Sequence, residues 1–518
     1  MINAVGREIP EELMAQGWEP FQGNDYRKDY EYTKVGPKVR AQVLPGESKV
    51  LPSLEEAIRK CSLKDGMTIS FHHHFRDGDY VMDMVMREIA RMGFKDITLA
   101  TTSIGKAADV VADYIEQGIV TGLTTSGIRD RIGEAVSQGK LKKTAVIRTH
   151  GGRIRAIETG QLHIDVAFIG APTSDECGNA SGKGGKSDCG GLSYALADAR
   201  YADKVVIITD TLVPFPNKPC SIEGIDVDYV VKVDAIGNPK KIASAAARIT
   251  QDPRELKIAE TCVNVIAATP YFKDGFNYQT GVGGPSIATL LFLKKKLAEA
   301  GIRINSVIGG ISTPMVEMMN EGYIRCIADT QDFDTGAVAS FRSKPNHFEI
   351  SCSEYANPMN KGAFVNMLDY VVLSALEMDV NFNVNVIPGS VGVLRGAPGG
   401  HPDTAACAKC CIIVTPLIRG RIPTVCDRVV TVTTPGDSVD ILVTDYGVAV
   451  NPKRTDLAEA LEKAGIKTVS IQTLRDIAYD IVDTPDPVQF KDRVVAIIEA
   501  RDGTVMDVVR EIKPYTFD

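Results

Sequence analysis

The sequence has few aromatic residues and no long apolar run. Only 6% of its 518 residues are aromatic, and one is tryptophan. No stretch approaches the ~20 consecutive apolar residues that a membrane-spanning helix needs. The first residues, MINAVGREIPEEL, carry charges where a secretory signal has an apolar segment. We therefore expect neither membrane association nor secretion, and a cytoplasmic location follows by default.

An excess of positive charge is also lacking. Lys and Arg total 58 against 66 Asp and Glu, which gives a net charge of −8. Nucleic acids and anionic membranes need a basic surface, so neither is an expected partner, although a local basic pocket for a small anion stays open. The eleven cysteines are expected to be reduced. CAKCC, ending at Cys411, runs into an apolar strand, which favours core cysteines over a zinc site.

The pattern of strands and helices predicts an α/β fold. Residues 1–50 are polar and turn-rich, which indicates an N-terminal extension. Beyond it, strand-like runs such as MTISF and DITLATT alternate with helix-like runs such as DYVMDMVMREIARMGF, as in mainly parallel sheets. The charged helical segment DPRELKIAETCVNVIAATP contains the expected boundary between domains 51–255 and 256–518.

The second half repeats the first at an offset of 209 residues. Asp65 opens DGMTISFHHHFRDGDYV and Asp274 opens DGFNYQTGVGGPSIATL, while Gly190 corresponds to Gly399 at the same offset. This period is far too long for a solenoid. It predicts two homologous α/β domains with a binding site in the cleft between them.

Two glycine-rich loops carry candidate binding residues. Glycine lets a backbone approach a ligand closely, and N–H groups at a helix start attract anions. The loop TGVGGPSIATLL contributes Gly281, Gly283 and Gly284. The loop NVNVIPGSVGVLRGAPGGHPDTA contributes Gly389, Gly396, Gly399, Gly400 and, as an anion contact, Arg395. The alternative is a tight turn that binds nothing for the first loop and a flexible loop for the second.

Three consecutive histidines, in FHHHFRDGDYV, lie opposite the first glycine loop in the repeat. In an extended segment His72 and His74 share one face and His73 takes the other. Carboxylate binding, core packing and metal binding are the alternatives. No third ligand lies nearby in sequence, so we expect no metal. Arg76 follows as a further candidate anchor for an anion.

NHFEISCSEYANP places Ser353 and Glu354 just after an alternating strand. A carboxylate at a strand end beside a glycine-rich cleft is a candidate nucleophile toward an activated acyl group. The alternative is an ordinary exposed glutamate.

NASGKGGKSDCGG nearly matches a phosphate-binding Walker loop. Gly185, Lys186 and Ser187 fit the pattern, but Ala180 replaces its first glycine. A nucleotide hydrolase is thus an alternative of another class. The corresponding segment of the second half, SVGVLRGAPGGHPD, has no Gly-Lys-Ser, which weighs against it.

The twofold α/β plan, the Ser-Glu after HFEI and GAPGGHPDTAACAKCCIIVTP resemble the class I coenzyme A transferases. From about Ser53 almost to the C-terminus, the chain resembles the citrate lyase α-chain family more closely. The matching stretches include DGMTISFHHHFRDGD, IDVAFIGAPTSDECGNA, QTGVGGPSIA, NFNVNVIPGSVGVLRGAPGGHPDTA, PLIRGRIPTVCDRV and SVDILVTDYGVAVNP.

The resemblance implies a citrate CoA-transferase. Acetyl on the thiol of an acyl-carrier (γ) subunit is exchanged for citrate, giving citryl-carrier and acetate, and a β subunit then cleaves the citryl group. It implies an oligomeric complex and no tightly bound cofactor, since the chain uses the carrier's CoA-derived prosthetic group or acetyl-CoA. A CoA-transferase for another small carboxylic acid is the alternative.

The resemblance also implies roles for the candidate residues. Glu354 takes the position of the covalent glutamate, and the implied reaction needs oxyanion donors, which the backbone N–H groups near Gly399 and Gly400 can supply. The expected citrate anchors are His72, His73, His74, Arg76, Ser353 and Arg395, and the expected carrier-arm site is Gly281, Gly283, Gly284, Gly389 and Gly396. Citrate-type transferases react directly, and this chain has Ser-Glu-Tyr-Ala instead of Ser-Glu-Asn-Gly, so a covalent and a direct route both stay open.

Overall fold

A computed structural model describes residues 1–24, 33–37, 46–243, 249–281 and 283–513. The strands of the first half are β1 (Val50–Leu51), β2 (Thr68–Phe71), β3 (Ile97–Thr101), β4 (Val120–Thr125), β5 (Ala145–Ile147), β6 (Val166–Gly170), β7 (Thr173–Ser174), β8 (Ala180–Ser181), β9 (Lys204–Thr209) and β10 (Tyr229–Lys232). The later strands are β11 (Asn277–Thr280), β12 (Ile304–Ile311), β13 (Ile324–Asp332), β14 (His347–Glu349), β15 (Tyr370–Leu373), β16 (Glu377–Asp379), β17 (Val384–Asn385), β18 (Cys410–Val414), β19 (Ile418–Arg419), β20 (Ile422–Pro423), β21 (Val425–Cys426), β22 (Ile441–Val443), β23 (Val448–Val450), β24 (Phe490–Glu499) and β25 (Val505–Ile512). The helices are α1 (Glu11–Ala15), α2 (Leu54–Lys60), α3 (Val81–Arg91), α4 (Val111–Glu116), α5 (Asp130–Ser137), α6 (His150–Glu158), α7 (Leu196–Tyr201), α8 (Pro253–Ala268), α9 (Gly284–Ala300), α10 (Thr313–Asn320), α11 (Thr335–Ser343), α12 (Cys352–Ala356), α13 (His401–Ala405), α14 (Thr455–Lys463) and α15 (Ile471–Val482).

Two large parallel sheets organise the molecule. The first has the order β1-β10-β9-β6-β2-β3-β4-β5-β24-β25, and only its last pair, β24 and β25, is antiparallel. The second has the order β14-β13-β12-β11-β15-β18-β22-β23, and only β22 and β23 pair antiparallel. Helices cover both sheets, so the predicted α/β class with mainly parallel strands is confirmed.

The internal repeat is visible in the strand order. Strands β10-β9-β6-β2-β3-β4-β5 correspond one for one to β22-β18-β15-β11-β12-β13-β14. The offset of 209 residues carries β2 onto β11 without any shift. In both halves the chain order reverses beside this central strand, and such a switch point is where open parallel sheets bind ligands.

Capping and periodicity explain the helices that flank these central strands. In α3 the buried residues recur at helical spacing, and the Asp79 carboxylate accepts the Val81 N–H at 3.0 Å. Helix α9 begins after the N-cap Gly283, carries Pro285 in its first turn and ends at Gly301, whose φ is +66°. Both helices agree with the sequence expectation.

The domain limits differ from the expectation in two ways. The boundary predicted at residue 255 falls inside α8, whose buried face packs into the second core. The C-terminal hairpin β24–β25 does not join the second sheet, because β24 pairs in parallel with β5 of the first. The domain that contains the first sheet is therefore built from two separated segments of the chain.

The described part of the N-terminal extension packs on this hairpin. Ile9 and Leu13 form a small apolar cluster with Ile497 and Val505. Arg7 Nε lies 3.0 Å from Asp507 Oδ2 in β25. The polar composition of residues 1–50 gave no indication that Ile9 and Leu13 would pack into an apolar cluster. Within the described residues, no helix has the length and apolar character needed to cross a bilayer.

Candidate functional site

A cavity of about 530 Å³ lies where the carboxyl ends of both sheets face each other. The first half lines it with the segments after β2, β3, β4 and β5, and the second half with those after β11, β13 and β15 and with residues 395–401. The volume is within the usual range for ligand sites, about 300–1,000 Å³. The cleft predicted between the two halves is therefore present.

Two residues of the histidine triplet, His72 and His73, line the cavity, and His74 does not. His72 Nε2 lies 3.2 Å from Asp198 Oδ2, and its side chain is fully buried. His74 Nε2 contacts the carbonyl of Gly170 at 2.9 Å and lies behind the lining. The rings of His72 and His74 are stacked with centroids 6.2 Å apart, which agrees with the predicted shared face.

His73 takes the other face and lines the cavity. Its Nδ1 is hydrogen-bonded with Thr102 Oγ1 at 2.7 Å, which leaves Nε2 as the ring nitrogen for a ligand. Its ring packs against Tyr194, with centroids 4.5 Å apart, and stacks on His150 at 5.9 Å. Burial, then the neighbouring His150 and Arg76, hold the pKa of His73 well below its ordinary value. At neutral pH the ring is therefore a neutral hydrogen-bonding group.

A buried ion pair supports the triplet from behind. Arg153, on α6, donates two hydrogen bonds of 2.7 Å to the carboxylate of Asp198. Burial alone would raise the pKa of Asp198, but Arg153 and His72 hold it far below its ordinary value. Asp198 thus stays ionised and orients His72 next to His73.

Positive charge in the lining comes from both halves. The cationic residues are Arg76, Lys106, Arg129, Arg395 and Arg419. The Arg76 guanidinium lies 4.9 Å from the centre of the Phe333 ring, and its backbone φ is +51°, a conformation unfavourable for a side chain of this size. Such convergent cations suit a ligand with several carboxylates.

Five predicted glycines line the cavity: Gly281, Gly283, Gly396, Gly399 and Gly400. Gly399 has φ +51°, and a Cβ there would lie 3.2 Å from His150 Nε2. A Cβ on Gly396 would lie 1.9 Å from the carbonyl oxygen of Val386, so only glycine fits. The N–H groups of Gly281 and Gly399 donate to the carbonyls of Val372 and Ser126 and are used within the fold. Gly283 and Gly400 are the N-caps of α9 and α13, where backbone donors begin unpaired.

Glu354 does not lie in the cavity lining. It is exposed and forms a capping box for α12, accepting the Ser351 N–H at 2.8 Å while its own N–H donates to Ser351 Oγ at 3.0 Å. Ser353 Oγ donates instead to Glu158. The carboxylate of Glu354, which was predicted as a nucleophile, therefore stabilises the start of α12.

Three other predicted residues also lie outside the cavity or at its edge. Gly284 and Gly389 are outside the lining, whereas Arg395 is at the rim with its side chain 56% exposed.

The carboxylates that do line the cavity are Asp77 and Asp79, and among the described lining residues there is no glutamate. Asp79 is the acceptor at the start of α3. Burial raises its pKa to about 7, although the N–H of Val81 opposes the shift.

The Walker-like loop does not have the required geometry. Ser187 Oγ donates to Asp210 Oδ2 at 2.6 Å, and Lys186 is exposed on a turn. The next helix, α7, begins only at Leu196, whereas a Walker lysine and serine open a helix. A phosphate cradle is thus absent from this described segment.

The lining also contains many residues that the sequence did not predict, among them Tyr194, Arg129 and His150. His150 had a detectable signal, since it precedes a Gly-Gly pair directly after the strand-like run AVIRT. Tyr194 and Arg129 had none, because only the fold brings their loops to the cleft.

Comparison with known proteins decides the family. Residues 47–512 match the family model described as citrate lyase, alpha subunit. The chain belongs to the citrate lyase α-subunit family. A citrate lyase alpha chain from Escherichia coli K12 is 51% identical over 467 residues, covering 90% of this chain and 92% of the relative.

Solved structures support the family and the fold. A crystal structure from Streptococcus mutans, described as an alpha subunit of citrate lyase in complex with citrate, has 50% identity and a TM-score of 0.96, covering 99% of this chain and all of that one. A 4-hydroxybutyrate CoA-transferase from Porphyromonas gingivalis, at 19% identity and TM-score 0.54, covers 84% of this chain and 97% of its own, and shows the same fold. The family supplies the citrate CoA-transferase component of the multi-subunit citrate lyase, so the nucleotide hydrolase alternative is wrong.

Proposed function

We propose that this chain exchanges acetyl for citryl on an acyl-carrier thioester, with citrate bound in the cavity between the two halves. The observation that carries the proposal is the lining itself: cations from both halves, neutral imidazoles and glycine backbone surround a cavity of about 530 Å³. A related chain with a TM-score of 0.96 is described in complex with citrate, which supports citrate as the ligand here.

Citrate is anchored by the cationic and imidazole groups. Arg76 and Arg129 from the first half, and Arg419 from the second, provide charge for three carboxylates. His73 and His150 are neutral hydrogen-bonding partners, because burial lowers the pKa of both rings, that of His150 to about 3. Neutral rings add specificity without requiring a proton from solvent.

The exchange is direct. A citrate carboxylate oxygen attacks the acetyl carbonyl of the thioester, and the carbonyl electrons move to oxygen. The oxyanion then collapses, the C–S bond breaks, and a mixed acetyl-citryl anhydride and a thiolate result. The thiolate attacks the citryl carbonyl, which releases acetate and leaves the citryl thioester. The capping-box role of Glu354 and the lack of glutamate in the described lining support this route over a covalent one.

Backbone donors stabilise the oxyanion and also contact the carrier arm. The N-caps Gly283 and Gly400 line the cavity from two different helices. Pre-oriented N–H groups are effective because they need no reorganisation as negative charge develops. The arm is the CoA-derived prosthetic group of an acyl-carrier subunit, and a second partner subunit cleaves the citryl product.

The test follows both products. The full chain is incubated with citrate and acetyl-CoA or acetyl-carrier, and acetate and citryl thioester are measured over time. The proposal expects equal amounts of the two products, and no acetate without citrate. Acetate released at the same rate without citrate would contradict it, since the chain would then be a thioester hydrolase.

A further inference from the structure

A second group of titratable side chains lies behind the wall of the cavity. Asp329 and Asp332, on β13, and His347, on β14, are each no more than 2% exposed. One ligand atom of each lies within 4.8 Å of the other two. His347 Nε2 is 3.4 Å from Asp329 Oδ2 and 3.9 Å from Asp332 Oδ1. The proposed function uses none of the three.

The facing atoms of this cluster have no ordinary partner. His347 Nδ1 is hydrogen-bonded with Ser340 Oγ at 2.9 Å, which aims Nε2 at the carboxylates. Asp329 Oδ1 accepts the Gln331 N–H at 2.7 Å. In the described part of the chain, His347 Nε2, Asp329 Oδ2 and both Asp332 oxygens are buried without a hydrogen bond of ordinary geometry. Several unsatisfied polar atoms aimed at one point are rare in a folded core.

The cluster also lacks compensating charge. Among the described residues, the ion-pair contacts of the two aspartates are with His347, and no lysine or arginine nitrogen lies within 4.0 Å of either carboxylate. Two carboxylates without a cation are costly to bury.

We propose that Asp329, Asp332 and His347 bind one divalent first-row transition cation, of the class of Mn²⁺, Co²⁺ or Zn²⁺. Metal–ligand distances of about 2.0–2.2 Å place tetrahedral ligands ~3.4 Å apart, close to the His347–Asp329 separation. Imidazole with carboxylates favours these cations over Ca²⁺. The Ser340 hydroxyl orients the imidazole as an outer partner of a metal ligand does.

The cation is structural and supports the cavity wall. Thr330 and Gln331 lie between the two aspartate ligands along the chain, Phe333 follows the second, and all three line the cavity. Gln331 Nε2 donates to the carbonyl of His73 at 3.1 Å. A Cβ at Gly190 would lie 1.7 Å from Asp332 Oδ2, so glycine there lets the backbone close over the cluster. Binding therefore fixes β13 to β14 directly behind the proposed citrate anchors.

The test measures bound metal in the full chain. Elemental analysis of the purified, dialysed protein is expected to find roughly one equivalent of a transition metal. The stripped protein is then titrated with Mn²⁺, Co²⁺ or Zn²⁺ alone, and at least one should raise its Tm and bind near one equivalent. His347→Gln and Asp332→Asn should weaken that binding by at least about tenfold.

A matched control comes from the same chain. His163, Asp165 and Asp203 form a cluster of the same composition, but His163 is 54% exposed. His163→Gln should therefore keep the bound equivalent. The proposal would be overturned if the wild-type protein contained no metal and none of the three cations raised its Tm. It would also be overturned if His163→Gln lost the metal while His347→Gln and Asp332→Asn kept it. If the buried-site variants fail to fold, the visible spectrum of the Co²⁺-loaded His163→Gln variant decides, since it should still show coordination by nitrogen and oxygen, and the absence of such coordination overturns the site.

Discussion

His73 lines the cavity, where its ring packs against those of Tyr194 and His150. His73→Gln is expected to raise the apparent KM for citrate by about tenfold, because one hydrogen bond to a carboxylate is worth about 1.5 kcal/mol. Initial rates over a range of citrate concentrations measure the change. The exposed His163→Gln serves as control, and an unchanged KM in His73→Gln would exclude His73 as an anchor.

Glu354→Ala is expected to leave kcat within about twofold of wild type. The change removes the capping box of α12 and should cost about 1 kcal/mol of stability. Ser351→Ala removes the same box from its other side and should have a similar effect on urea unfolding. A loss of activity in Glu354→Ala that Ser351→Ala does not share would instead support a covalent glutamate.

Asp79 makes stability depend on pH near neutrality. Its pKa in the folded protein is about 7, above its ordinary value, so the folded state holds a proton that the unfolded state has lost. The free energy of unfolding should therefore fall as pH rises from 5 to 7.5, on the order of 2 kcal/mol for this group. In Asp79→Asn the free energy of unfolding should fall less between pH 5 and pH 7.5, as measured by urea titrations at the two pH values. Parallel pH profiles for the two proteins would refute the assignment.

The sequence indicated the positions and roles of some site residues and not of others. The alternation of the triplet was predictable, because extended backbone sends successive side chains to opposite faces. Ser351 and Glu354 have the spacing of a capping box, a local signal that competes with the catalytic interpretation of Glu354. The Asp329–Asp332–His347 cluster had no signal, since its members meet only when β14 pairs with β13.

The hairpin β24–β25 is the element whose position was least expected. Glu499 at the end of β24 is 1% exposed and pairs with two arginines of the first half, at 3.0 Å from Arg148 and 2.9 Å from Arg155. Glu499→Gln should destabilise the protein by about 3–5 kcal/mol, because two buried guanidinium groups lose their shared carboxylate. Chemical unfolding of the full chain measures this cost.

Glu511, in the other strand of the hairpin, gives the matched control. It pairs with Lys491, whose side chain is 48% exposed. Glu511→Gln should cost less than about 1 kcal/mol, as partly exposed pairs usually do. Equal effects of the two substitutions would show that the hairpin is not held by the buried pair.

Elements with local signals were predicted, and those with distant partners were not. The run MTISF gave β2 and, through the repeat, β11, because the pattern lies within one segment. Nothing in the sequence of β24 indicated pairing with β5, more than 340 residues earlier. The hairpin covers the β5 edge of the first sheet, which would otherwise be open to association with another strand.

At the scale of the molecule, the part of the chain that the structure describes places two similar sheets on either side of the cavity. The repeat predicted this arrangement, since equivalent strands place equivalent loops at the cleft. A further contact ties the halves together there. Asp403 of α13 accepts from Thr149 Oγ1 at 2.8 Å and from the Gly151 N–H at 2.9 Å, at the start of α6. Substrate groups anchored on both halves are thereby held in one frame, as direct exchange requires.

The measurement that tests direct exchange most sharply follows oxygen. Citrate labelled with ¹⁸O in its carboxylates is mixed with acetyl-carrier and an excess of the chain, and the acetate from a single turnover is analysed by mass spectrometry. Direct attack transfers one citrate oxygen to acetate, so singly labelled acetate is predicted. Unlabelled acetate would mean that an enzyme carboxylate or water supplied the oxygen, and would contradict direct exchange.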